Sequence, residues 1–245
     1  MHGLTQHKDK HLTKNTALVT GSSSGIGQAI TDHLLKDGFE VIGLARNHKN
    51  FIPRQSTYYP ITVDLSDVEN LEPTIQRVLK QYPDINIFIG NAGYGDFRHL
   101  ENFSSVQIQN FLNTNLISQI ILCRHLICHL KNNGTGSIIL MGSEAALAGK
   151  RKATLYSAAK FGLRGFGQAL RDELSTSGVR VCIINPGLVR SPFFDNLDFE
   201  PGQSEYNAIE PKDIAKIVLE LLNTRTGTNI DEINLSPSSE SINFK

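Results

Sequence analysis

The chain has no excess of either charge. Lysine plus arginine and aspartate plus glutamate number 24 each among its 245 residues. With a pI near 7.1, bulk attraction to nucleic acid is not expected. It has no apolar run long enough to cross a bilayer, so no membrane span is expected. Cysteines are few and odd in number, three without close pairing, which points to a reducing cytoplasm rather than a disulfide scaffold. Internal repeats, low-complexity tracts and a second-domain linker are all missing. Residues 1–14 are polar, with His2, His7, His11 and three lysines, and lack the apolar stretch of a secretory signal. They are expected to form a frayed N-terminal arm. Residues 15–245 then make one domain, long enough to bury a substantial core.

What is present begins with Thr16-Ala17-Leu18-Val19-Thr20, which reads as a short buried strand. It runs into Gly21-Ser22-Ser23-Ser24-Gly25-Ile26-Gly27, and a helical pattern follows with Ile30, Leu34 and Leu35 on one face. Glycines allow a tight turn and close backbone approach to a pyrophosphate, while the helix N-terminus offers N–H groups and a positive dipole end. The spacing is Gly-x-x-x-Gly-x-Gly, not the commoner Gly-x-Gly-x-x-Gly.

Further strands are expected near 40–45, 58–63, 85–90, 136–142, 179–184 and 230–235, several as continuous apolar runs that suit parallel strands covered on both faces. Helices fit near 26–37, 67–81, 105–131, 155–176 and 211–223. Ser66 followed by Glu69 resembles a capping box, with Pro73 as an alternative start for that helix. The alternation predicts an α/β domain, a doubly wound parallel sheet of about seven strands with helices on both faces. The irregular stretch 192–211 carries Phe193, Phe194, Leu197, Phe199 and Tyr206, apolar enough to cover something.

Tyr156 and Lys160 stand four apart, on one face of an expected helix. A phenol titrates near 10, too high for efficient acid–base work near neutrality, and a neighbouring cation is expected to lower it.

The ordered set of motifs is similar to the short-chain dehydrogenase/reductase family, core-length type, from about Asn15 to Leu235. Thr20 to Gly27 matches the family's cofactor loop; the cofactor-binding residues this implies are Gly21, Ser23, Ser24, Gly25, Ile26 and Gly27. Asp64-Leu65 matches its adenine-side pair, Asn91-Ala92-Gly93 its turn after the fourth strand, and Asn185-Pro186-Gly187 its nicotinamide-side turn. Pro186, Gly187, Val189 and Ser191 are thereby implied in cofactor binding, Ser191 standing where relatives often have threonine. Asn115, Ser143, Tyr156 and Lys160 fall at the catalytic tetrad. The resemblance implies a Rossmann-like fold and carbonyl–alcohol interconversion. It assigns Tyr156 as general acid or base, Lys160 as its activator and ribose ligand, Ser143 as a carbonyl contact and Asn115 as holder of a relay water. It also implies a mobile substrate lid at 192–211 and a homotetramer, with a homodimer as second choice. Gly162, Gly165 and Gly167 in the Tyr156 helix fit close helix–helix approach in such an assembly.

Cofactor choice is read at Ala45-Arg46. NAD-preferring relatives carry an acid near the end of this strand; Ala45 stands there, and the Arg46 guanidinium can grip a 2′-phosphate, so NADP(H) is expected. The reaction expected is reduction of a ketone or aldehyde, or the equivalent hydroxy-acid oxidation. The tail 230–237 resembles enzymes of small carbonyls and hydroxy acids more than carrier-protein reductases. A rival reading is a nucleotide-binding regulator without turnover; a sugar-nucleotide epimerase would need a longer substrate domain. His125, Cys128 and His129 share a helical face, but three ligands on one helix would strain a tetrahedral metal site, and no metal is expected. Lys150-Arg151-Lys152 reads as a solvated loop, or as a greeting for an anionic substrate.

Overall fold

In the computed structural model, residues 15–245 are described, apart from 50, 52 and 54. The expected arm at 1–14 lies outside the described residues. In chain order the main elements are β1 (Thr16–Thr20), α1 (Gly25–Lys36), β2 (Glu40–Ala45), β3 (Tyr58–Thr62), α2 (Val68–Gln81) and β4 (Ile85–Gly90). Then come α3 (Ser105–Leu112), α4 (Ser118–Asn132), β5 (Gly136–Met141), α5 (Thr154–Glu173) and β6 (Val179–Pro186). The chain continues through β7 (Phe199–Pro201), α6 (Pro211–Asn223), β8 (Glu232–Leu235) and β9 (Ile242–Phe244).

Seven strands form one sheet in the order β3-β2-β1-β4-β5-β6-β8, every neighbouring pair parallel. The expected doubly wound, Rossmann-like architecture is present. Its cause is visible in β1 and β5, whose residues are buried on both sides. One face is covered by Leu71, Ile75 and Val78 of α2, Leu122 and Leu126 of α4, and Leu163 and Leu170 of α5. The other is covered by Ile30 and Leu34 of α1 and by Ile214 and Val218 of α6. Strand order reverses between β1 and β4, which opens a crevice at the carboxyl edge.

Four expectations need correction. The helix expected at 105–131 is interrupted by a π-helical turn at Asn113–Ile117, between α3 and α4. The N-cap of α2 is Asp67, whose carboxylate accepts from the Asn70 N–H; Ser66 instead donates to Asp64. Asp67 is nearer the first helical turn and carries charge, so it wins the cap. Pro73 sits inside α2 and does not reset its start. The stretch 192–211 is not wholly irregular: β7 pairs antiparallel with β9, residues the sequence reading left without structure.

Two of the three α5 glycines serve the chain's own packing. A Cβ on Gly162 would stand 3.0 Å from Leu116, and one on Gly167 2.8 Å from Ile183 of β6. Only Gly165 faces open space.

Candidate active site

The carboxyl edge of the sheet carries an open cleft of 1410 Å³. It is lined by Gly21, Ser23, Ser24, Gly25, Ile26, Arg46, Asp64, Leu65, Asn91, Ala92 and Gly93. Ser143, Tyr156, Lys160, Pro186, Gly187, Val189 and Ser191 complete it from the other half of the sheet. Of the residues expected from sequence, Gly27 and Asn115 do not line the cleft; they stand behind its wall.

Gly27 is a spacer. A Cβ there would overlap the Gly21 carbonyl and the Asn91 amide. Gly21 itself has φ +66 and turns the chain out of β1. Thr20 locks this corner: its Oγ1 accepts from the Asn91 and Ala92 N–H groups at 2.9 Å each. Asn91 Nδ2 returns a hydrogen bond to the Thr20 carbonyl at 2.9 Å. The sequence signal for this lock is a hydroxyl at a strand end beside a second turn.

The N-terminus of α1 opens onto the cleft with no side-chain cap and no acidic residue in its first turn. Its N–H groups and dipole are therefore left for an anion. Ser191 approaches this loop from beyond β6, its Cβ 3.4 Å from a Cβ built on Gly25. This uncapped cradle, closed by glycines where side chains would collide, fits a dinucleotide pyrophosphate. At the far end Arg46 is exposed and, among the described residues, makes no ion pair or side-chain hydrogen bond. Asp64 accepts from the Ser66 N–H and hydroxyl at 2.9 and 2.8 Å.

Ser143 ends β5 and caps a short 3-10 turn, its Oγ accepting from the Ala145 N–H at 3.2 Å. Its own N–H donates to Asn185 Oδ1 at 3.3 Å. Asn115 lies fully buried in the π turn. Its Nδ2 donates to the Phe111 carbonyl and its Oδ1 accepts from the Tyr94 N–H, both at 3.1 Å. A Cβ on Gly93 would stand 2.6 Å from Asn115 Oδ1 and 3.7 Å from Lys160 Nζ, so these three positions are neighbours. A π turn widens the helix by one residue and re-aims a side chain, a device frequent at functional sites.

Tyr156 and Lys160 are both buried in α5. Lys160 Nζ donates to the Met141 carbonyl at 2.8 Å and stands 5.8 Å from the Tyr156 ring centroid. Burial pushes the Tyr156 phenol up to about 12, with a Ser143 hydrogen bond offsetting part of the rise and Glu144 adding to it. Burial also pulls the Lys160 ammonium down to about 8. Burial thus outweighs the lowering of the phenol expected from Lys160. Loss of hydration disfavours both charged forms, and the ammonium is aimed at a carbonyl oxygen rather than at the phenol. Glu144, which sequence reasoning missed, borders the cleft and pairs with Lys150 at 3.1 Å.

Of the side signals, His129 Nε2 bonds the Ile85 carbonyl, His125 stands 3.4 Å from Glu72, and Cys128 is exposed.

Residues 15–201 match the family model of short chain dehydrogenases. A 3-oxoacyl-(acyl-carrier-protein) reductase of Buchnera aphidicola is 32% identical over 193 residues, covering 77% of this chain and 79% of the relative. An alcohol dehydrogenase of Thermococcus sibiricus, solved with 5-hydroxy-NADP, matches with a TM-score of 0.81 at 24% identity, covering 93% of this chain and 99% of that one. A metagenomic short-chain oxidoreductase solved with NADP matches with a TM-score of 0.78 at 25% identity, covering 92% of this chain and 98% of that one. The fold, the strand-edge cleft and these matches agree: the chain belongs to the short-chain dehydrogenase/reductase family of oxidoreductases.

Proposed function

We propose that the protein is an NADP(H)-dependent oxidoreductase that interconverts a carbonyl and a secondary alcohol by hydride transfer. One observation carries this reading. The Tyr156 and Ser143 hydroxyls and the Lys160 ammonium meet at the cleft beside an uncapped, glycine-walled helix N-terminus.

The cofactor, when bound, supplies or receives the hydride at the substrate carbon. The chain's own residues handle the rest. The α1 N-terminus and Gly21–Gly27 would hold the pyrophosphate, and Arg46 the 2′-phosphate. Asp64 and Leu65 would border the adenine; Asn91, Ala92, Gly93, Pro186, Gly187, Val189 and Ser191 would flank the nicotinamide half. Ser143 orients the substrate oxygen by hydrogen bond. Tyr156, protonated at neutral pH as any phenol is and more firmly so once buried, gives its proton to that oxygen as the alkoxide forms. Lys160 would hold the ribose and balance the phenolate left behind. Asn115 fixes the backbone at Tyr94 and offers a place for a relay water. Absence of an acid near Ala45, and the NADP bound in the matched metagenomic oxidoreductase, support NADP(H) over NAD(H).

We also infer that the chain works in the cytoplasm on a small molecule and assembles as a homotetramer or homodimer, Phe161 on α5 being 44% exposed. Light scattering at micromolar concentration tests the assembly. For the activity, NADPH oxidation is followed across a panel of ketones, aldehydes and oxo acids. Turnover of a carbonyl supports the reading. Tight NADPH binding with no carbonyl reduced would favour a regulator of the same fold.

A further inference from the structure

On its lid side, Tyr156 is met by rings. Phe97, after β4, lies 5.2 Å from Tyr156 between centroids and 5.3 Å from Phe199 of β7. Phe193, after β6, lies 5.9 Å from Tyr156. Gly95 permits this grouping: a Cβ there would stand 2.5 Å from Phe97 and 2.5 Å from Phe193. The three phenylalanines line the cleft and stay partly exposed. β9, paired with β7 so that Phe244 stands opposite Phe199, adds Ile242 and Phe244, 44% and 77% exposed, to the same cleft. Wet apolar surface gathered in a concave site beside a few polar groups marks a ligand compartment.

Three cations of the surrounding segments are already engaged. Lys245 Nζ donates to the Phe194 carbonyl at 2.7 Å and lies 3.8 Å from Glu200. Arg190 is held by Glu210 and by the carbonyls of Gly202 and Ser204. Lys150 is held by Glu144. Arg151 and Lys152 border the cleft on an exposed loop and are the rival anchor, for an anionic substrate. A carboxylate placed among the rings would lose water without gaining, among the described residues, a free cation beside them.

We propose that Phe97, Phe193, Phe199 and Phe244 select an aryl ketone or aldehyde, a carbonyl compound bearing a flat apolar group, over an oxo acid. This deepens the carbonyl–alcohol reading and rests on it. Aromatic rings favour edge or offset contact with one another, so an aryl group has partners on several sides while its carbonyl faces Tyr156 and Ser143.

The test compares binding and turnover. 1-Phenylethanol and 3-hydroxybutanoate are titrated calorimetrically into the NADP-loaded protein; acetophenone and acetoacetate are the matching substrates with NADPH. The aryl alcohol is expected to bind at least about tenfold more tightly than the hydroxy acid. Phe199→Ala and Phe244→Ala should each shrink that preference while NADP affinity holds. Phe244 is on the exposed strand, so its variant remains informative should Phe199→Ala fail to fold. Equal or tighter binding of 3-hydroxybutanoate overturns the proposal, as does a preference for acetoacetate that disappears in Arg151→Ala with Lys152→Ala. Failure of the aryl alcohol to bind the loaded protein overturns it too. Selective aryl binding with neither substrate reduced would defeat the oxidoreductase reading and leave the selectivity standing.

Discussion

Arg164 grips Glu232 with two prongs, Nε at 2.7 Å and Nη2 at 3.1 Å from its two carboxylate oxygens. Arg164 is four residues beyond Lys160 and eight beyond Tyr156 on α5. Glu232 also accepts from Asn185 Nδ2 at 2.6 Å, and Asn185 Oδ1 in turn accepts from the Ser143 N–H at 3.3 Å. The helix carrying Tyr156 is thus tied through β8 and β6 to the strand end carrying Ser143. The Arg164 hydrogen bond holds the Glu232 carboxyl below its ordinary 4.5.

Glu232→Gln keeps the shape and removes the charge. It should lower stability by about 1–2 kcal/mol, the pair being partly exposed, read by chemical denaturation. The native carboxylate's contribution is present above pH 4.5 and is lost as pH falls through the depressed folded value. The variant should therefore show less acid sensitivity there. If the tie also aligns Ser143 with Tyr156, kcat drops about tenfold or more while NADPH affinity stays within a few-fold. An unchanged kcat would confine Glu232 to stability.

Arg46→Ala tests cofactor choice. An arginine–phosphate contact is worth about 1.5–3 kcal/mol, or about ten- to hundredfold in affinity. NADPH should lose that much and NADH almost nothing, since only the former carries the 2′-phosphate. Fluorescence titration of both cofactors reads the outcome. Equal losses for the two would place Arg46 elsewhere in recognition.

Much of this was legible in the sequence because it depends on local pattern. Doubly buried strands such as β1 and β5 write themselves as apolar runs, and the glycine turn sits between a strand and a helix. The β7–β9 pair escaped because each strand is three residues long and its partner lies some forty residues away, with neither period nor length to reveal it. The π turn at Asn115 escaped because one extra backbone residue barely disturbs the apolar spacing of the helix it interrupts. The acidity of Tyr156 runs against the lowering expected beside a cation. It depends on how far burial outweighs a cation, and Lys160 turns out to point at Met141.

Burial of Lys160 predicts a trade between stability and function. Its folded pKa of about 8 lies below the ordinary 10.5. Between these values the unfolded chain binds more protons, so Lys160 makes stability rise with pH across that window. Tyr156 acts oppositely at higher pH: from 10.0 to about 12 the folded chain keeps the proton and stability falls. Lys160→Met should flatten the rise above pH 8 and leave the cofactor-free protein at least as stable as wild type near neutrality. Thermal unfolding across pH 7–11 measures it. A marked loss of stability at neutral pH would mean that the Met141 hydrogen bond outweighs the buried charge.

Tyr156→Phe separates proton donation from everything else at the site. The ring and its contacts with Phe97 and Phe193 survive, as do Lys160 and the glycine loop, so NADPH affinity should stay within a few-fold. Only the hydroxyl goes, and with it the proton donor that also meets Ser143. General acid–base groups contribute about 10²–10⁴ in rate, and kcat should fall by at least the lower figure. Lys160→Met differs: it removes the ammonium proposed to hold the ribose and to balance the phenolate, so activity and NADPH affinity should fall together. Turnover and fluorescence titration on the two variants, side by side, give the comparison. Should Tyr156→Phe keep more than about a tenth of wild-type turnover against that expected factor, Tyr156 is not the proton donor and the proposed mechanism fails.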